Sequence, residues 1–190
     1  MPNAFYWDQE YLKGELPWDM RQASPPLKSY FDHLQDNTLD ILIPGCGNGY
    51  EAGYLLDKGF TSITLIDISR VLMDRLKEKF GQRLTLLTGD FFDLGGEYDL
   101  IVEQTFFCAL APSLRQNYVE KMYSLLRPGG RLAGLLFDRD FPDGPPFGGS
   151  RKEYQQLLEK KFKLITLTPC LNSIKPRMGT ELFFIAERSI

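Results

Sequence analysis

Histidine is almost missing: the 190-residue chain carries one, His33, and it lies outside every motif described below, so it reads as a surface or helix-packing residue and not as a catalytic base. Cysteine is scarce as well. Cys46, Cys108 and Cys170 stand far apart with no C-x-x-C spacing, which excludes a zinc site and a disulfide framework, leaves no metal in the expected site, and fits reduced thiols in a cytoplasmic protein. No apolar run is long enough to span a bilayer, and the opening Met1–Asp8 has neither a basic nor an apolar signal region, so a soluble, cytoplasmic chain with no membrane partner is expected. A surplus of basic charge is also absent. Lys and Arg total 22 against 25 Asp and Glu, and the longest basic cluster, Lys160-Lys161 with Lys163, suits a solvated helix end, so nucleic acid is not an expected partner. No internal repeat or low-complexity tract breaks the chain.

What is present is an alternation. From Asp40 onward, short aliphatic and β-branched runs alternate with segments of helical periodicity, the signature of βαβ units and a mostly parallel, doubly wound sheet of α/β class. The expected strands are Leu39–Ile43, Ile63–Ile66, Leu84–Leu87, Tyr98–Val102, Leu132–Phe137, Leu164–Thr168 and Leu182–Ala186. Ser113–Gln116 and Ser150–Glu153 have the spacing of capping boxes, and Pro128-Gly129-Gly130 should end a helix and turn the chain into the next strand. The last two strands are joined by Cys170–Thr180, too short for a crossover helix, which predicts an antiparallel terminal hairpin. The length suits a single domain over residues 1–190, in which residues 1–38, with an aromatic opening, several prolines and a helix around Leu27–Leu34, form an N-terminal cap.

One turn carries a chemical message. Ile41-Leu42-Ile43 runs into Pro44-Gly45-Cys46-Gly47-Asn48-Gly49, placing small residues beside a helix N-terminus, where backbone can approach a ligand and free N–H groups favour an anion. Asp67 closes the next strand, at about the twenty-residue separation at which a carboxylate meets a ribose hydroxyl in doubly wound sheets. A dinucleotide turn wants its third glycine one residue later, where this chain has Tyr50. After the third strand, Gly89-Asp90-Phe91-Phe92 offers an acceptor for an exocyclic amine and an aromatic face for a purine, or else a turn Asp beside two core rings.

Together with Pro17-Trp18-Asp19, Thr105-Phe106-Phe107-Cys108-Ala109-Leu110-Ala111-Pro112 and Gly144-Pro145-Pro146-Phe147, these segments resemble the thiopurine S-methyltransferase superfamily, and within it the halide and thiol methyltransferase branch, from about Trp7 to the C-terminus. The resemblance implies a Rossmann-like methyltransferase sheet with an antiparallel end and S-adenosyl-L-methionine as cofactor. It assigns Gly45 to the methionine part, Asp67 to the ribose, and Asp90 with Phe91 to the adenine, and Gly47 of the same turn belongs to the expected cofactor-binding set. Trp7, Tyr11, Trp18 and Gln104 complete the implied cofactor set, with Tyr11 standing where relatives carry tryptophan.

Methyl transfer from a sulfonium is an in-line displacement driven mainly by alignment of the reactants, so no catalytic triad is required. A thiol supplies some thiolate unaided and a halide needs no deprotonation, so soft nucleophiles suit a site without a histidine. Glu103 and Gln104 end the fourth strand and are the candidates for positioning the acceptor, while Phe106, Phe107 and Phe147 either wall its pocket or serve as core. Relatives in the halide and thiol branch carry an acidic residue and a tyrosine where this chain has Glu103-Gln104, and a tyrosine where it has Phe147. Two hydroxyls are therefore missing, which favours a thiol, whether a thiopurine or a smaller one. The expected partner is a small-molecule acceptor, and the expected assembly a monomer or homodimer. A halide acceptor, a methyltransferase acting on another small molecule, a non-catalytic cofactor-binding module and a nicotinamide-dependent oxidoreductase are the rival readings.

Overall fold

In the computed structural model, which describes residues 2–14 and 16–189, two compact units divide the chain, Met1–Leu94 and Gly95–Ile190. The first is organised around β1 (Ile41–Pro44), an unbroken apolar run every residue of which is buried. β2 (Ile63–Asp67) pairs parallel with β1, and β3 (Thr85–Thr88) pairs parallel with β2. Ahead of them come α1 (Ala4–Lys13) and α2 (Pro25–Phe31); between the strands lie α3 (Tyr50–Asp57) and α4 (Arg70–Phe80). Asn3 caps α1 by accepting from the Tyr6 N–H at 3.0 Å, and Ser69 caps α4 by accepting from the Leu72 N–H at 3.1 Å. α2 starts two residues before the expected Leu27, because Pro25 and Pro26 occupy the first turn, where a missing N–H costs nothing, and it stops at Phe31.

The second unit holds β4 (Tyr98–Gln104), α5 (Arg115–Leu125), β5 (Leu126–Phe137), α6 (Arg151–Leu158), β6 (Lys163–Pro169) and β7 (Glu181–Glu187). β4 and β5 are parallel, whereas β7 pairs antiparallel with both β5 and β6, which gives the expected terminal hairpin. The seven strands form one sheet in the order β3-β2-β1-β4-β5-β7-β6.

Two local expectations are corrected. Ser113 does not cap α5: it sits inside a 3-10 turn, Pro112–Leu114, whose Leu114 N–H reaches Ala111 O at 2.8 Å, so the chain is already wound before the helix begins. Pro128 does not terminate α5 either. The helix ends at Leu125, β5 begins at Leu126, and Pro128-Gly129-Gly130 forms an irregularity between the pairings at Leu126 and Arg131, with Gly129 N–H bonded to Arg188 O at 2.7 Å. Ser150 does cap α6, accepting from Glu153 N–H at 3.3 Å, although the Glu153 carboxylate pairs with Arg115 instead of closing the box.

Candidate cofactor and acceptor sites

In the first unit the glycine turn is built against the end of β2. Gly45 N–H donates to Ile66 O at 2.8 Å, and Gly45, Gly47 and Gly49 all adopt left-handed backbone, φ 55°, 51° and 67°. Their surroundings differ. A Cβ on Gly47 would meet nothing within 4 Å, so open space lies beside the turn, whereas one on Gly49 would sit 2.9 Å from the Phe80 ring, so this glycine lets α4 pack against the start of α3.

Asp67 stands at that open turn, half-buried, with Oδ1 accepting from Ser69 N–H at 2.9 Å. Burial pushes its carboxyl up to about 6; N–H groups of Ser69, Ile68 and Gly47 act in the opposite direction, and the neighbouring Asp8 adds to the rise. Asp8, on α1, accepts from Ser69 Oγ at 2.6 Å and from Val71 N–H at 3.1 Å, fastening α1 to the N-terminal end of α4.

α1 also carries Trp7 and Tyr11, and the structure gathers both around Trp18. The ring centroids of Trp7 and Trp18 are 5.5 Å apart and those of Tyr11 and Trp18 6.2 Å, both edge to face. Tyr11 is buried, and burial together with the nearby Asp67 raises its hydroxyl well above the usual phenol range. Asp19 ties the Trp18 segment to the glycine turn by accepting from Asn48 Nδ2 at 2.9 Å and Tyr50 OH at 3.2 Å, while Glu51 accepts from Ser24 N–H at 2.9 Å.

The turn after β3 is joined to the same place through Gly89 N–H and Asp67 O at 3.0 Å. Asp90 is exposed there, with Oδ1 accepting from Phe92 N–H at 2.9 Å. Phe91 has only 5% of its surface exposed, and its ring meets that of Phe92 edge to face at 5.4 Å. The room beside Gly47 and the carboxylates of Asp67 and Asp90 fit a ligand with a ribose and an amino-purine.

The second unit places the remaining candidates on one turn after β4. Glu103 has no exposed surface; its Oε1 accepts from Phe106 and Phe107 N–H groups, each at 2.9 Å, and its Oε2 from Tyr118 OH at 2.6 Å. Burial pushes this carboxyl up to about 7, against the pull of those three donors. Thr105, between Gln104 and Phe106, holds φ 57°, a left-handed conformation costly for a β-branched residue, on the order of 1–3 kcal/mol. Gln104 Oε1 is buried with no hydrogen-bond partner among the described residues.

The three phenylalanines part company. Phe106 and Phe147 keep partial exposure, and Phe147 is hung on the same turn through its N–H to Cys108 O at 2.6 Å. Phe107 is buried: it is 3% exposed, its ring lies edge to face with Tyr118 at 5.0 Å and Tyr154 at 5.7 Å, and the Arg115 guanidinium covers it at 4.9 Å. Arg115 also donates to Gly148 O at 2.6 Å, which anchors the residue after Phe147.

A family model described as Thiopurine S-methyltransferase (TPMT) matches residues 3–181. The chain belongs to this family. It is 30% identical over 92% of its length to a probable thiol methyltransferase 2 of Arabidopsis thaliana, covering 81% of that protein. It is 29% identical, with the same coverage of each chain, to thiocyanate methyltransferase 1 of Brassica oleracea. The fold is shared with 1,6-didemethyltoxoflavin-N1-methyltransferase of Burkholderia thailandensis, solved with S-adenosylhomocysteine, at a TM-score of 0.77 and 21% identity over 97% of this chain and 86% of that one. As a member of the thiopurine S-methyltransferase family, the chain is an S-adenosylmethionine-dependent methyltransferase, and the nicotinamide reading falls away.

Within this methyltransferase several supporting residues had escaped sequence reasoning. Asp8 and Arg115 carry no local signal, since their partners are 61 and 38 residues away in Ser69 and Glu153. Tyr118 sits on a helix face that reads as ordinary core. Asp19 had a trace, its place in Pro17-Trp18-Asp19, but its partners in the glycine turn appear only in the fold.

Proposed function

We propose that this methyltransferase acts on small thiols, with the cofactor held by the first unit and the acceptor placed by the turn after β4. S-adenosylmethionine, when bound, supplies an electrophilic methyl group on a sulfonium. The chain's own part is to bind and align. Asp67 accepts from the ribose, the turn at Gly45 and Gly47 admits the methionine part, and Asp90 with Phe91 holds the adenine. Trp7, Tyr11 and Trp18 close over it as part of a cap formed by residues 1–38 of a single domain. The unpartnered amide oxygen of Gln104 has its acceptor capacity spare for a polar group of the acceptor.

The observation that carries the thiol reading is the state of Glu103. Its two oxygens are occupied by three protein donors and it has no exposed surface, so it is not available as a general base, and the turn offers no histidine in its place. An acceptor that brings its own lone pair at neutral pH, a thiolate first and a halide second, is what such a wall can serve. Phe106 and Phe147 contribute apolar surface without a hydroxyl, which suits a polarisable sulfur better than a hydrated anion. We place the enzyme in the cytoplasm, as a monomer or homodimer without nucleic-acid or membrane partners; no helix among the described residues is long and apolar enough to cross a membrane.

Labelled methyl transfer to a panel of aryl and alkyl thiols, a thiopurine, thiocyanate, iodide and a primary amine tests this. Thiols should be methylated faster than iodide, and Gln104→Tyr with Phe147→Tyr should raise the iodide and thiocyanate rates relative to thiols. An amine methylated faster than every thiol would sink the proposal.

A further inference from the structure

The turn that places the acceptor is strained, and a single buried hydroxyl closes the arrangement that holds it. Thr105 occupies the left-handed region at φ 57°, and the next two N–H groups, of Phe106 and Phe107, converge on Glu103 Oε1 at 2.9 Å each. The other oxygen of that fully buried carboxylate accepts from Tyr118 OH at 2.6 Å. A buried carboxylate oxygen left without a donor is costly enough to force the group to reorient or take up a proton, and either change weakens its hold on the two N–H groups. Tyr118 also supports the turn directly, its ring centroid lying 6.2 Å from that of Phe106 and 5.0 Å from that of Phe107. The end of the same turn, Cys108 O, receives the Phe147 N–H at 2.6 Å.

We infer that Tyr118 is a positioning residue for the methyl acceptor: its hydroxyl fixes Glu103, Glu103 holds Thr105–Phe107 in the strained conformation, and that turn sets where Gln104, Phe106 and Phe147 stand. The inference rests on reading this turn as the acceptor wall. Tyr118 touches neither substrate nor cofactor; it acts through Glu103, from a helix that sequence pattern alone assigns to the core.

Tyr118→Phe keeps the ring and removes the hydroxyl. Expected is at least a tenfold fall in kcat/KM for a thiol acceptor, with a raised thiol KM, while the Kd for S-adenosylhomocysteine, governed by Asp67 and Asp90, changes less than threefold. A merely structural role would lower Tm without this split. Glycine adopts a positive φ without penalty, so Thr105→Gly added to Tyr118→Phe should recover most of the lost kcat/KM, because the turn then no longer depends on the carboxylate to stay in place. Glu103→Gln should lose less than Tyr118→Phe, since its amide oxygen still accepts both turn N–H groups and its NH2 group can donate to the Tyr118 oxygen. A Tyr118→Phe enzyme within twofold of wild type overturns the inference, and so does a loss that Thr105→Gly fails to recover or a larger loss in Glu103→Gln. If the single variant does not fold, the double variant decides: an active one supports the arrangement and an unfolded or inactive one overturns it. A wild-type chain that binds S-adenosylhomocysteine yet methylates no thiol breaks the acceptor-wall reading itself, and this inference with it.

Discussion

Asp67 is where sequence and chemistry meet most directly. Replacing it with alanine should weaken S-adenosylhomocysteine binding by about 1–3 kcal/mol, the cost of leaving ribose hydroxyls poorly paired, and an unchanged calorimetric affinity would refute its role. Its ionisation adds a pH signature. In the proposed site the carboxylate, not the acid, would accept from both ribose hydroxyls, and burial has pushed the group up to about 6, so binding should strengthen as pH rises through that value and level off above it. At pH 5 only about a tenth of the group is ionised, which predicts roughly tenfold weaker binding than at pH 8. The groups that face it are Asp8, Tyr11 and Cys46, and burial raises the last two, so they stay neutral across this range. Titrating affinity against pH in the wild type and in Asp67→Asn separates the contributions, since the dependence should flatten in the variant. Asp67 was legible in the sequence because it ends a strand at a fixed distance from the glycine turn; its neighbour Asp8 was not, because its role is to meet Ser69 across 61 residues.

At the level of elements, the glycine turn and the two helices beside it show how one motif serves two needs. Gly49→Ala meets both a positive φ and the Phe80 ring at 2.9 Å, and should cost about 1–3 kcal/mol of stability, read as a lower denaturant midpoint with little change in slope. Gly47→Ala has the same backbone problem but open space in front of it, so its further effect should fall on cofactor affinity and not on packing. Equal affinity loss in the two variants would contradict this division. Sequence spacing identified the turn and marked the third glycine as misplaced for a dinucleotide; only the approach of α4 shows what that glycine is for. The two capping-box spacings divide in the same way. Ser150 caps α6 as its spacing implies, but the spacing at Ser113 is identical in kind and misleads, because Pro112 starts a 3-10 turn first.

For the molecule as a whole, the buried carboxyl of Glu103 and the half-buried one of Asp67 set the response of stability to pH. Asp67 rises from 3.8 to about 6 and Glu103 from 4.5 to about 7, so the folded chain binds these protons more tightly than the unfolded chain does. Stability is therefore highest below the ordinary values and falls as pH climbs to the raised ones, with Glu103 accounting for roughly 3 kcal/mol. Tm should be higher at pH 5.5 than at pH 8, and Glu103→Gln should remove much of the difference; a wild-type Tm that rises over that interval would contradict the assignment. The α/β class, the seven strands, the antiparallel end, the glycine turn and its acidic partner followed from the sequence alone, because each depends on a local period or a short, fixed spacing. Tertiary structure alone decided that Phe107 is buried while Phe106 and Phe147 keep partial exposure, that Glu103 is sealed by Tyr118, and that Asp8 and Asp19 tie the segments of Trp7 and Trp18 to the start of α4 and to the glycine turn. The contacts of Glu103, Asp19 and Asp8 join side chains across 15 to 61 residues, distances at which no sequence periodicity survives.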